Sequence, residues 1–301
     1  MQFMGFDGFI WFTGVVEDRR DPMKLGRCKV RIAGLHTDKM EQGIDEGIPT
    51  PDLPWAYPMQ PITSAAMNGI GTTPLGPVEG TWVVGFFRDG EACQDPIMMG
   101  TLGGYPMKAP AKTGFNDPNG IYPKATHLME PDTHRRAVVD FEGPPDAGGG
   151  ASKEEPGLPM DNYAAQYPFN HVRASESGHV EEWDDTPGAE RLMRYHKSGT
   201  WEEIGPDGTR TVNVIMDNYH IVAGDENITV TGDVTFKVEG ELTFEAKNDI
   251  TFKSIGGDVN IDAGGACNID STDDCTITSG AGITTEAGAV NWVKGAGLKL
   301  N

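Results

Sequence analysis

Four cysteines, Cys28, Cys93, Cys267 and Cys275, are too few to staple a chain of 301 residues. Their spacings fit no zinc pattern, and Cys267 and Cys275 read as small buried residues of a repeat. No stretch approaches the ~20 apolar residues of a membrane-spanning helix. The start, MQFMGFDGFIWF, has no basic region and no small-residue cleavage site, so it does not read as a secretory signal, and synthesis in a cytoplasm is expected. Basic residues are scarce too. Against 45 Asp and Glu stand 24 Lys and Arg, a formal charge of −21. Nucleic acid and anionic membranes require Lys and Arg clusters, so both are excluded as partners.

Catalytic signatures are equally sparse. No GxSxG, P-loop or dinucleotide fingerprint occurs, nor HxH or HExxH among the scattered histidines. The neighbours Glu181-Glu182 and Asp184-Asp185 alternate faces on a strand and read as solvated charge. GGDVNIDAGGACN lacks the nine-residue period and third glycine of a calcium-binding repeat. The expectation is a protein that is not an enzyme, with no catalytic residue, no cofactor and no metal.

What is there is a period. From Ile221 the chain divides into blocks of eight: IVAGDENI, TVTGDVTF, KVEGELTF, EAKNDITF, KSIGGDVN, IDAGGACN, IDSTDDCT, ITSGAGIT, TEAGAVNW and VKGAGLKL. The fourth place holds Gly224, Gly232, Gly240, Asn248, Gly256, Gly264, Gly280 and Gly288, residue types that permit a sharp corner. Between the corners lies period-two alternation, the pattern of a strand with one buried face. Its apolar set is Ile228, Val230, Val234, Phe236, Val238, Leu242, Phe244, Ile250 and Phe252, then Val259, Ile261, Ile269 and Ile277. Eight residues supply one strand and a corner. Three such units make one turn of a three-sided coil, wound from one chain or from three. A lone chain leaves long open edges, which favours three chains burying the stripe on a common axis.

The repeat is not uniform. Its apolar residues are even-numbered to Phe252 and odd-numbered from Val259 to Ile283, while the glycines stay even. A one-residue slip turns every side chain over, so a bulge or re-bend is expected near Ser254–Asp258, with a narrower lower half beyond it. Trp292, Leu298 and Leu300 are read as the tip, with Trp292 plugging the axis and the apolar end requiring a separate cap.

The N-terminal part reads differently. WFTGVVEDR and GRCKVRIAGLH flank a turn-rich stretch, and TWVVGFFRDG pairs with QDPIMMGTLGG. About five strands in residues 10–104 suit a small OB-type barrel, with Trp82 expected in its core. WFTGVVEDRRDPMKLGRCKVRIAGLH, GIPTPDLPWAYPMQPITSAAMNGIG, GPVEGTWVVGFFRDG and GFNDPNGIYP together closely resemble the OB domain of the central spikes of T-even-type contractile phages. Related modules occur in the VgrG spikes of type VI secretion. Resemblance, composition and period together give the expectation of an all-β chain: residues 1–9 a lead, 10–104 an OB-fold barrel, 105–170 an extended linker, 171–220 a β-rich segment leading into the shaft, and 221–301 an intertwined triple-stranded β-helix in a homotrimer. The resemblance also implies a trimeric hub protein at the barrel end, a PAAR-type tip cap, and a place in the tail baseplate of a virion. T-even spikes insert a muramidase between barrel and shaft. Residues 105–170 are rich in Pro, Gly and charge with no apolar helical run, so a lysozyme fold does not fit there. The alternatives are a VgrG-like spike, or a β-helical polysaccharide-degrading or receptor-binding tailspike.

Overall fold

A computed structural model describes residues 9–37, 47–110, 114–138, 159 and 161–288. The chain divides into two units, Met1–Val222 and Ala223–Asn301. The fold is all-β apart from short 3-10 turns and one helical turn, α1 (Arg135–Val138).

Unit one opens with five strands: β1 (Trp11–Asp18), β2 (Cys28–Ile32), β3 (Trp55–Pro58), β4 (Trp82–Phe87) and β5 (Pro96–Leu102). They close into a barrel in the order β1-β2-β3-β5-β4, with β1 returning to β4 and only the β3/β5 pair parallel. Closure leaves no free edge. Alternation along the strands fills the interior with Phe12, Val16, Cys28, Val30, Ile32, Ala56, Val83, Phe87 and Met98. Burial pushes the Cys28 thiol up to about 12, so it behaves as a small apolar side chain. Trp82 does not join this core. Val83 takes the inward place, and the same alternation turns Trp82 outward, where it stacks on Phe115 at 6.4 Å. At Gly85 a Cβ would lie 2.0 Å from the Ile97 carbonyl oxygen, so the bulge between β4 and β5 admits only glycine.

The outer side of β2 is covered as well, although it carries charge. Lys29 Nζ donates to the Pro51 and Leu53 carbonyls, both at 2.7 Å. Arg31 donates to the buried Glu17 carboxylate through Nε (2.6 Å) and Nη2 (2.9 Å). Glu17 also accepts from Thr50 Oγ1 (2.7 Å) and the Phe115 N–H (3.1 Å), tying three separate segments to one carboxylate. Further on, Asp117 is fully buried and accepts from the N–H groups of Asn119, Ile121 and Tyr122. The segment 114–123 is thereby fixed on the barrel.

A second sheet follows: β6 (Asn170–Ala174), β7 (Val180–Asp184), β8 (Arg191–Tyr195), β9 (Trp201–Ile204) and β10 (Arg210–Asn213), an antiparallel meander. Its turns fall where DDTPGAE and GPDG predict them, with Gly178, Gly188, Gly199 and Gly208 at positive φ. One face is covered by α1 and residues 162–166, and its centre is ionic. Glu182 and Asp184, read from the sequence as solvated, share this buried face, because residues two apart on a strand point the same way. Arg136 of α1 and Arg191 of β8 both donate to Glu182, and Arg191 Nη1 donates to Glu203 at 3.0 Å. Tyr163 Oη and Asn170 Nδ2 donate to the Arg136 carbonyl, at 2.6 and 3.0 Å. Tyr163 also lays its ring 4.0 Å from the Arg136 guanidinium carbon.

Barrel and sheet meet at Glu176, in the β6–β7 turn. Its carboxylate accepts from Arg19 Nη1 (2.7 Å) and Nη2 (2.8 Å) and from Tyr122 Oη, and Lys124 Nζ donates to its carbonyl. Arg19 in turn pairs with Glu79 of the barrel at 3.1 Å. On the same side Asp132 accepts from the Gly104 N–H at 2.6 Å, and Met129 N–H donates to the Pro106 carbonyl. Where described, residues 105–170 are bound to both pieces.

Two outcomes follow. Glu17→Ala leaves Arg31 buried without its carboxylate and should cost about 3–5 kcal/mol, read as a lowered denaturant midpoint, with Glu17→Gln losing less. For Glu176, the Arg19 hydrogen bonds first and the Tyr122 hydroxyl second hold the carboxyl down at about 2, against an ordinary 4.5. A depressed folded value stabilises fully above the ordinary value and is lost as pH falls toward 2. The urea midpoints of wild type and Glu176→Gln should therefore differ at pH 6 and converge near pH 2. A gap that persists at pH 2 would contradict this account.

Candidate functional site

Unit two is the part of the chain with work left to do. From 223 to 288 no strand pairing occurs among the described residues. The apolar residues read as a shaft core are exposed in the single chain: Ile228 and Ile261 at 78 %, Phe236 at 75 %, and with them Val230, Val234, Val238, Leu242, Phe244, Ile250, Phe252, Val259, Ile269 and Ile277. Cys267 and Cys275, expected buried, are exposed for the same reason. An extended strand cannot cover its own face or pair its own backbone groups.

The backbone nevertheless keeps the period. It bends at 223–224, 231–232, 239–240 and 247–248, then over three residues at 255–257, then at 264–265, 272–273 and 280–281. Gly224, Gly232, Gly240 and Asn248 each end their bend, whereas Gly264 and Gly280 begin theirs. The expected re-bend near Ser254–Asp258 is this three-residue corner, where the Gly257 N–H donates to Ser254 Oγ at 3.2 Å. Counted from the end of each bend after the first, where it is Glu226, the second residue is Val234, Leu242, Ile250, Val259, Cys267, Cys275 or Ile283. The fourth is Ile228, Phe236, Phe244, Phe252, Ile261, Ile269 or Ile277, and Thr285 after the last bend. Two apolar columns thus run through the junction without a break. Phe244 and Phe252, one octad apart in a column, meet edge to face at 6.3 Å. Gly288 is described, while Trp292, Leu298 and Leu300 lie outside the described residues.

Unit one offers two further surfaces. At the barrel's end Phe9, Trp11 and Phe86 form an aromatic cluster, with ring centroids 5.4 to 6.1 Å apart and Trp11 more than half exposed. On the outer face of the second sheet Trp183 and Leu192 are cross-strand partners, both nearly half exposed. A cavity of about 870 Å³ lies between residues 122–137 and β6. Its polar lining is structural: Asp132 holds Gly104, Asn170 holds Arg136 and Glu182, and Lys124 holds Glu176. No group of three metal-ligating side chains forms among the described residues.

Sequence reasoning missed the ionic centre of the second sheet. Arg136, Tyr163 and Asn170 come from a stretch read as a tether, and only the same-face spacing of Glu182 and Asp184 hinted at it.

Known proteins have sequences related to part of the barrel and to the residues that follow it. Residues 34–155 match the family described as the Gp5 N-terminal OB domain. Protein Gp5 of Vibrio phage KVP40 is 48 % identical over 267 residues, covering 76 % of this chain and 63 % of that protein. The pre-baseplate central spike protein Gp5 of Enterobacteria phage T4 is 54 % identical over 115 residues, covering 38 % of this chain and 20 % of that protein. The chain therefore spans less than two thirds of the length of either relative. It carries the N-terminal OB domain of the Gp5 family and is a relative of the T4-type central spike proteins.

Proposed function

We propose that this chain is the central spike of a phage tail baseplate, a structural part of the virion rather than an enzyme, working as a homotrimer. The observation that carries the reading is the pair of exposed apolar columns on an unpaired, regularly bent backbone. Three copies wound together pair every strand with a neighbour about 4.8 Å away and turn the columns onto a shared axis. Each aliphatic or aromatic side chain so covered contributes about 1.5–3 kcal/mol. Gly and Asn at the bends serve as corners, and ten octads stack into a needle on the order of 50 Å.

In this reading the barrel docks on a trimeric hub protein, and the exposed Phe9–Trp11–Phe86 cluster is the anchor suited to that contact. Sheath contraction drives the needle through the host outer membrane. Its stiffness comes from a continuous ladder of hydrogen bonds between chains, and a PAAR-type tip protein is its further partner. The −21 charge of each copy keeps the assembly soluble and free of nucleic acid.

Light scattering on the purified chain should return three times its 32.4 kDa mass. Phe244→Asp places three carboxylates on the axis and should abolish the trimer while the barrel stays folded. A wild-type chain that remains monomeric at micromolar concentration sinks the proposal.

A further inference from the structure

The three-residue corner carries a consequence that rests on the trimeric reading. We propose that Ile255–Gly257 is a register pin: one additional corner residue that keeps a single apolar stripe running through both halves of the repeat and fixes the alignment of each copy of this chain against the others.

The argument starts from two frames that part company. Gly240, Gly256, Gly264 and Gly280 keep a spacing in multiples of eight, while the bends and the apolar columns both move one residue later after 257. An extra residue within a strand would turn every later side chain to the opposite face. Placed in a corner, it has no such effect. Val259 and Ile261 stand as far beyond their bend as Ile250 and Phe252 stand beyond theirs. The pair Gly256-Gly257 suits a tighter path, and the Ser254 hydroxyl fastens it.

The occupant of the stripe follows from the spacing. A partner must present corners at the same intervals, three of eight, one of nine, then three of eight again, and the chain that does so is another copy of this one. A uniform octad repeat would not choose among alignments, because a slide of one octad exchanges Leu242 and Phe244 for Ile250 and Phe252. With the extra residue in place, the same slide sets a three-residue corner beside a two-residue one and displaces one block against its neighbours. Irregular corners fix register in β structures generally.

The test uses the full chain with single deletions. Deleting Gly257 makes the octads uniform and should preserve the trimer mass. Deleting Thr243, inside a block, turns over all later side chains and should lose it. Register is read from nitroxide-labelled Lys237→Cys in a Cys93→Ser/Cys267→Ala/Cys275→Ala background, where Cys28 is sealed in the barrel core. With Gly257 present one narrow distance distribution is expected, and without it further, longer distances. If the Gly257 deletion loses the trimer as fully as the Thr243 deletion, the extra residue is not a corner residue and the proposal falls. It falls equally if both forms give the same single distance. A labelled background that is monomeric with Gly257 intact overturns the trimeric reading itself, an outcome that light scattering separates from the other two.

Discussion

A strand carries hydrogen-bonding groups along both edges, and each must meet a partner about 4.8 Å away or stay in water. The chain answers this demand in three ways. The first five strands close on themselves, β1 returning to β4, so the barrel has no edge left. The next five form an open meander bounded by β6 and β10. The octads form no strand pairs among the described residues, and their apolar columns are exposed. The barrel covers its own core, whereas the described repeat does not.

The joints within unit one are ionic, and the consequence is physical. Apolar contact is non-directional, so two surfaces that meet through it tolerate small shifts. A guanidinium gripping a carboxylate with two parallel hydrogen bonds fixes distance and angle together. Arg19 holds Glu176 in this way between barrel and second sheet, and Arg31 holds Glu17 beneath the segment 114–123. Arg136 reaches Glu182 inside the second sheet from a helical turn of only four residues. Burying the Arg31–Glu17 and Arg136–Glu182 ions is costly, and they contribute more to orientation than to net stability.

How much of this was legible in the sequence depends on the range of the interaction. The barrel strands, the turns at DDTPGAE and GPDG, and the octad corners follow from alternation and turn chemistry, which act within a few residues. The shift at 255–257 was visible as a change of parity between Phe252 and Val259. The ionic centre was not. Arg136 and Glu182 lie 46 positions apart, and no local pattern tells a buried carboxylate from a solvated one. Trp82 was misplaced for a similar reason: a large aromatic beside Val83 suggests core, yet alternation leaves one inward place and the valine has it.

The polar joints and the bare repeat also constrain one another. In the proposed trimer, unit one must present its copies in a definite orientation before the octads can wind, because loop closure between unaligned strands costs entropy that contacts repay only later. A head whose parts were free to rock would hand the repeats a range of starting angles and, in a near-uniform octad sequence, a range of registers. Directional ion pairs at Glu176 and Glu182 narrow the first range. The corner at 255–257 narrows the second. In that trimer, rigidity within unit one and a single irregularity in the repeat are complementary means of obtaining one assembly from a sequence whose repetition would otherwise permit several.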